Sequence, residues 1–167
     1  PVAPFLNPQG DDVAKALLRF SEGKPLGDER GAYWLAVHLA NCYGVDKVSF
    51  DDRVEWVHDN EELILDSAVD PLGGQRFWTD ADEPWQFLAG CFEWLGYNEQ
   101  GYGYVSHLPI AMDGSCNGLQ NFSAMLLDEV GGKATNLVPM DKPQDVYTEV
   151  MQVVIDKVAR DLDSEDE

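Results

Sequence analysis

Positive charge is what this sequence has least of. Its 167 residues carry 11 Lys or Arg against 31 Asp or Glu, a net charge of −20 at pH 7. Taken alone, that balance speaks against a basic face for gripping nucleic-acid backbones, which needs clustered Lys and Arg. Cysteine is scarce as well. Cys42, Cys91 and Cys116 are odd in number and far apart, and no CxxC pair occurs. A structural zinc site is therefore not expected, and the pattern reads as reduced, intracellular thiols rather than a disulfide framework. No secretory leader is evident, and no apolar run approaches the roughly 20 residues of a membrane span. Internal repeats and a clear linker are missing too. The chain opens at Pro1 without an initiator Met, which reads as a processed product or a piece of something longer. What is present excludes a disordered acidic tail: 44% of residues are hydrophobic and five are Trp, enough for a domain with a real core.

The pattern is mostly helical. Residues 1–10 read as extended, ending in the turn Asn7-Pro8-Gln9-Gly10. Asp11 or Asp12 caps a helix with the apolar face Val13, Leu17, Leu18 and Phe20. Gly23 to Gly27 breaks it, and Asp28 opens the next, with Trp34, Leu35, His38 and Leu39 at helical spacing and Gly44 as C-cap. Ser49 with Asp52 three residues on is a capping-box pattern leading into Trp56 and Val57. A short helix over Leu63 to Leu65 follows, then the turn Pro71 to Gly74. Pro84 sits in the first turn of a helix through Phe87, Leu88, Cys91 and Trp94. Gly96 to Gly103 reads as a loop, 104–112 as a strand, Ser115 to Leu127 as a helix ended by Gly131-Gly132, and Ala134 to Val138 as a second short strand. Asp141 to Asp145 starts a last helix with Val146, Val150, Val153, Val154 and Val158 on one face. The acidic segment 161–167 reads as frayed. The fold class is thus α+β, mostly helical, with one or two short strands.

One stretch carries chemistry. In His107-Leu-Pro-Ile-Ala-Met-Asp-Gly-Ser-Cys-Asn-Gly-Leu-Gln-Asn121 an apolar run stops at Asp113, and Gly114 and Ser115 turn the chain into a helical pattern. A carboxylate at the end of a buried strand, followed by glycine, can hold a metal ion while the glycine lets substrate approach the backbone. The same pattern also suits a plain helix cap, with Asp113 and Ser115 satisfying free N–H groups. His107 reads as a packed or surface histidine, and Cys116 as a small packing residue without a basic partner to activate it. Most Trp and Phe fall at core spacing; Trp78 and Trp85 are the candidates for base stacking. Lys24, Lys47 and Lys133 could meet phosphate, although surface lysine is the default.

The strings Asp113-Gly-Ser-Cys-Asn-Gly-Leu-Gln120, Phe122-Ser-Ala-Met-Leu126, Asp128-Glu-Val-Gly-Gly132, Asn136-Leu137 and Pro143-Gln-Asp-Val-Tyr147 occur in one order. So do Asn7 to Gly10, Gly23-Lys24-Pro25, Tyr33-Trp34-Leu35, Ala40-Asn41-Cys42, Gly44 to Val48, Phe87-Leu88-Ala89 and Cys91-Phe92-Glu93. Together these resemble the single-subunit, bacteriophage-type DNA-directed RNA polymerases, a family that includes the mitochondrial enzyme, over essentially the whole chain. The resemblance implies a fragment of a right-hand polymerase palm with adjoining helices. In that reading 1–103 is a helical region upstream of the palm motif, 104–160 holds the motif A strand and following helices, and 161–167 is an acidic tail, all within one incomplete polymerase domain.

It further implies template-directed nucleotidyl transfer by two Mg²⁺ ions, with Asp113 as the catalytic metal-binding carboxylate. The Gly114 carbonyl is the additional metal contact, Ser115 and Tyr147 border the nucleotide, and the second carboxylate lies outside this chain. Partners implied are DNA template, RNA product and ribonucleoside triphosphates, with no membrane, in a monomer working in the cytoplasm of an infected bacterial host. His58-Asp59 is the one His-Asp pair, and it precedes Asp113 in a helical pattern, so it does not match the palm's second aspartate. Alone, the segment is expected not to polymerise. Two departures stand out: Asn121 where the family usually has His, and Leu127 where it often has Arg. Two other readings remain: a non-catalytic acidic helical module for a basic partner, and a different phosphotransfer enzyme pairing Asp113 with Asp128. The second suffers from a helical spacing of about 20 Å.

Overall fold

Ala32, Leu35, Ala36, Leu39, Ala40 and Cys42 recur at helical spacing and form the buried stripe of the longest helix in the first half of the chain. In the computed structural model, described over residues 6–109 and 114–165 (side chains through 160), this helix is α2, Glu29–Tyr43. Asp28 caps it by accepting from the Arg30 and Gly31 N–H groups, and Gly44, at φ 109°, ends it in the left-handed region. The chain forms two compact units, 1–111 and 112–167. The first contains α1 (Asp12–Leu17), β1 (Lys24–Pro25), α2, α3 (Phe50–Asp59), α4 (Glu61–Val69), α5 (Pro84–Gln100) and β2 (Val105–Ser106). The second contains α6 (Asn117–Leu126), α7 (Glu129–Ala134) and α8 (Val146–Glu165). The expected class, α+β and mostly helical, is what is found.

In the first unit α2 packs against α3 and α5, and α4 against α5. Leu39, Val57, Ile64, Phe87, Cys91 and Trp94 are fully buried among them, each large aliphatic or aromatic side chain contributing about 1.5–3 kcal/mol. Tyr43 stacks on Phe77 at 4.7 Å and meets Trp56 and Phe87. Burial pushes the Cys42 thiol up to about 12 and raises Cys91 as well, so both stay protonated packing groups.

His38 is the titratable group with the clearest consequence. Burial inside α2 lowers it to about 4, against 6.5 for a free imidazole. Between those values the unfolded chain binds a proton that the folded chain refuses. Stability is therefore intact above pH 6.5 and falls as pH drops toward 4, by about 3 kcal/mol. His38→Gln should abolish that part of the loss. The check is the difference between wild-type and variant urea midpoints at pH 7 and pH 4.5; equal differences at both would refute it.

Several expectations are corrected. Asp11 caps α1, but the helix ends at Leu17 and buries Ala14, leaving Val13, Leu17 and Phe20 exposed. Asp12 instead reaches across the chain and accepts from Trp85 and Gln86 N–H at 2.7 and 2.9 Å, capping α5, whose own Glu83 makes no side-chain cap. The expected loop from Gly96 is helical to Gln100; a Cβ at Gly96 would stand 2.2 Å from the Tyr104 ring, so glycine admits that contact. The strand expected over 104–112 is paired only at Val105–Ser106, antiparallel to Lys24–Pro25; 110–113 lie outside the described residues. Ala134 to Val138 is no strand. Asp128 accepts from the Val130 N–H, α7 runs through Gly131-Gly132 to Ala134, and Asn136 takes φ 60°, which an extended strand excludes. The expected helix from Ser115 begins at Asn117, and the last helix, α8, runs from Val146 to Glu165.

The segment leading to the Asp113 stretch is tied down twice. Phe20 N–H donates to the His107 carbonyl, and His107 Nδ1 lies 2.9 Å from the Phe20 carbonyl. A carbonyl only accepts, so Nδ1 carries the hydrogen. Gly23 makes the approach possible: a Cβ there would fall 2.5–2.7 Å from Val105, His107 and Ser106.

Candidate active site

Within the second unit, the residues after Asp113 form a knot of oxygen and amide groups. Asp113 itself lies outside the described residues. Gly114 is held where a Cβ would sit 2.3 Å from Asn117 Oδ1 and 2.8 Å from Gln120 Oε1, so no larger residue fits without displacing them. Ser115 does not cap α6. Cys116, at φ 56°, occupies the N-cap position without a side-chain cap bond, and the Ser115 hydroxyl accepts from Asn136 Nδ2 at 2.9 Å. The cap reading of Ser115 is thereby corrected.

Asn136 extends the knot. Its Nδ2 also donates to the Gln144 carbonyl at 2.9 Å, and its Oδ1 accepts from Gln144 N–H at 2.6 Å. The Gln120 side-chain amide donates to the Thr135 carbonyl at 2.5 Å. Asp145 then receives the Tyr147 and Thr148 N–H groups at the start of α8. Tyr147 is exposed, and its phenol is raised above its ordinary value by the neighbouring Cys116 side chain and, less, by the charge of Asp145. Asn136 thus ties Ser115 to Gln144, and Tyr147, 32 residues after Ser115, lies against the neighbouring Cys116. Asn136 stands in the sequence only as part of the Asn136-Leu137 string; its left-handed backbone has no signature there, although Asn is the non-glycine residue that best tolerates it.

The other candidates lie elsewhere or are occupied. Trp78 is buried, its indole N–H donating to the Pro71 carbonyl at 2.8 Å, and Trp85 is half exposed with its ring 5.2 Å from Trp78. Lys47 pairs with Asp46 and Lys133 with Glu129 one helical turn away. Lys24 faces Ser106 across the two-stranded sheet. Asp128 is spent as the N-cap of α7. His58, near the end of α3, lies against Trp94. Leu127 ends α6 at φ 53° and is 91% exposed, and Asn121 is exposed.

Among the described residues no cluster of three or more His, Cys, Asp or Glu could hold a metal ion by itself. The described side chains around Gly114 and Ser115 are amides, a hydroxyl and the Cys116 thiol, and none is the carboxylate that a hard divalent cation favours. A site here would need Asp113 and a further carboxylate. No described helix is long and apolar enough to cross a membrane.

A family model described as DNA-dependent RNA polymerase matches residues 24–167. The chain is 51% identical over 154 residues, 92% of its length, to the DNA-directed RNA polymerase of Enterobacteria phage K11. It is 50% identical over 143 residues, 86% of its length, to T7 RNA polymerase of Escherichia phage T7. To the mitochondrial DNA-directed RNA polymerase of Neurospora crassa it is 47% identical along its whole length. It spans only 16%, 16% and 12% of those three relatives.

Proposed function

We propose, because this chain belongs to the single-subunit DNA-dependent RNA polymerase family, that it supplies one half of a two-metal nucleotidyl-transfer site, within residues 104–160 of the palm. Asp113 is the metal-binding carboxylate and the Gly114 carbonyl the accompanying ligand. In the reaction the RNA 3′-hydroxyl oxygen bonds to the α-phosphorus of a ribonucleoside triphosphate chosen by the DNA template, the bond to the β-phosphate oxygen breaks, and pyrophosphate leaves. Bound divalent ions, Mg²⁺ in this reading, lower the pKa of the attacking hydroxyl and neutralise charge on the phosphate oxygens.

The chain's own residues orient. Asp113 supplies the ligand carboxylate, Gly114 leaves the backbone open to ligand approach, and Ser115 and Tyr147 border the nucleotide. The observation that carries the reading is the unbroken string Asp113 to Gln120 within the matched region, with Ser115 tied by Asn136 to Gln144 and Tyr147 beside Cys116. The acidic interaction module has no comparable support. In the full-length polymerase, excess EDTA should reduce templated extension to background and added Mg²⁺ should restore it. Extension that persists in EDTA would remove the two-metal mechanism.

A further inference from the structure

Glu93 carries an unanswered oxygen in the interior of the first unit. It lies in α5, only 1% exposed, and its Oε1 accepts from Arg19 Nη2. Its Oε2 is shielded from solvent and accepts no hydrogen bond from any described residue. The Tyr104 phenol stands beside the pair and is raised by burial and then by the Glu93 charge. A buried carboxylate is costly unless its oxygens meet donors, so one left half answered calls for a reason. Glu93 and Arg19 both line a cavity of about 260 Å³ between α1 and α5, with Leu17, Trp85, Leu88 and Phe92 among its walls. Leu17, Trp85 and Phe92 are partly exposed, which gives the cavity apolar lips around a charged interior. Asp12 of α1 caps α5 through the Trp85 and Gln86 N–H groups, so the two helices that form the walls are fastened to each other beside it. An apolar, largely pre-formed concavity with a few convergent polar groups is the usual form of a small-molecule site.

We propose that this cavity binds a free, neutral, flat aromatic molecule of the indole or phenol kind, with its single N–H or O–H donating to Glu93 Oε2. Charge selects a neutral ligand. A cation on Oε2 would stand beside the Arg19 guanidinium, an anion would meet the Glu93 carboxylate, and like charges so placed are strongly disfavoured. A neutral donor completes the carboxylate and leaves the ion pair balanced. Size selects a small one, since the cavity falls just below the roughly 300–1,000 Å³ of drug-sized pockets. The walls select an aromatic body, because the Trp85 and Phe92 rings offer partners for stacking or edge contact. The site lies wholly within the first unit, and the inference does not depend on reading Asp113 as a metal ligand.

The test titrates the full-length polymerase with indole, and in parallel with indene, which has the same shape and no N–H, following ligand-observed saturation-transfer NMR. Wild type should take indole saturably and prefer it to indene by about tenfold or more, the worth of one hydrogen bond to a charged group. Ala89→Leu, on the cavity wall, should remove that binding by filling the space while leaving Glu93 in place. Glu93→Gln should erase the preference. A guanidinium only donates, so Arg19 keeps the amide oxygen and the NH₂ turns toward the cavity, donor against donor. Absence of saturable binding to wild type, as when the polymerase's own remaining chain fills the cavity, overturns the proposal. So does equal uptake of indole and indene, or a preference that survives in Glu93→Gln. Should Glu93→Gln fail to fold, Ala89→Leu decides alone, and indole binding that persists there overturns the site.

Discussion

Asp113→Asn in the full-length polymerase should lower templated nucleotide addition by about 10³-fold or more, with little change in folding. The side chain keeps its size and one oxygen; what disappears is the negative charge. A hard divalent ion takes carboxylate oxygen far more readily than amide oxygen. Metal stabilisation of a phosphoryl-transfer transition state is worth several kcal/mol, and each 1.36 kcal/mol is a factor of ten in rate. The loss should sit in kcat, because the ion acts on charge that develops during transfer. Stability should hold or rise slightly, since the substitution takes one charge from a chain at −20. Asp113→Glu, which keeps the charge and displaces it by a methylene, should fall between wild type and Asn. Single-turnover extension measures all three, and wild-type rates for Asp113→Asn would remove this residue from the site.

The family and the broad architecture were legible because both are written locally. Asp28 before α2, Gly44 after it, Ser49 before α3 and Pro84 at the start of α5 are cap signals that depend on a few neighbouring residues, and the motif strings are contiguous. What escaped was carried through space. Asp12 looked like a cap for its own helix, and it caps one beginning 72 positions later. Ala134 to Val138 looked extended from its Thr and Val, yet the Asp128 cap and the Glu129–Lys133 pair favour helix, and the left-handed Asn136 ends any strand. At the site, Ser115 and Tyr147 were marked through resemblance alone. Asn136, which joins Ser115 to Gln144, could not be found by spacing, since its partners lie on both sides at unrelated distances. Leu127, where the resemblance led one to expect a cation, has its side chain in solvent and its backbone in a costly conformation; nothing in the structure explains why leucine is there.

Arg53 was also missed, and its replacement should cost the first unit about 3–5 kcal/mol. It lies in the helix opened by the Ser49 cap and is only 3% exposed. Its Nη1 donates to Asn41 Oδ1 at 2.7 Å, its Nη2 to the Asp46 and Val48 carbonyls at 2.8 and 3.0 Å, and its Nε to Val48 at 3.2 Å. The guanidinium also lies 4.8 Å from the centre of the Phe50 ring. The segment between α2 and α3 is therefore wrapped around one cation, and burial lowers the pKa of that cation without discharging it. Arg53→Met is the informative change. Methionine retains most of the stem volume, so the loss reports bonds rather than a cavity. Each charge-assisted bond contributes about 1.5–3 kcal/mol, but the bonds share one group and do not add in full. Arg53→Lys should recover less than half, because a single ammonium cannot serve acceptors arranged around a planar fork. Urea unfolding followed by tryptophan fluorescence, with Trp56 and Trp94 in the core, gives both values provided the slope with denaturant is unchanged. A loss below about 1 kcal/mol for Arg53→Met would mean that water replaces the guanidinium at those carbonyls. The Gly44 to Val48 string would then hold its shape from backbone preference alone.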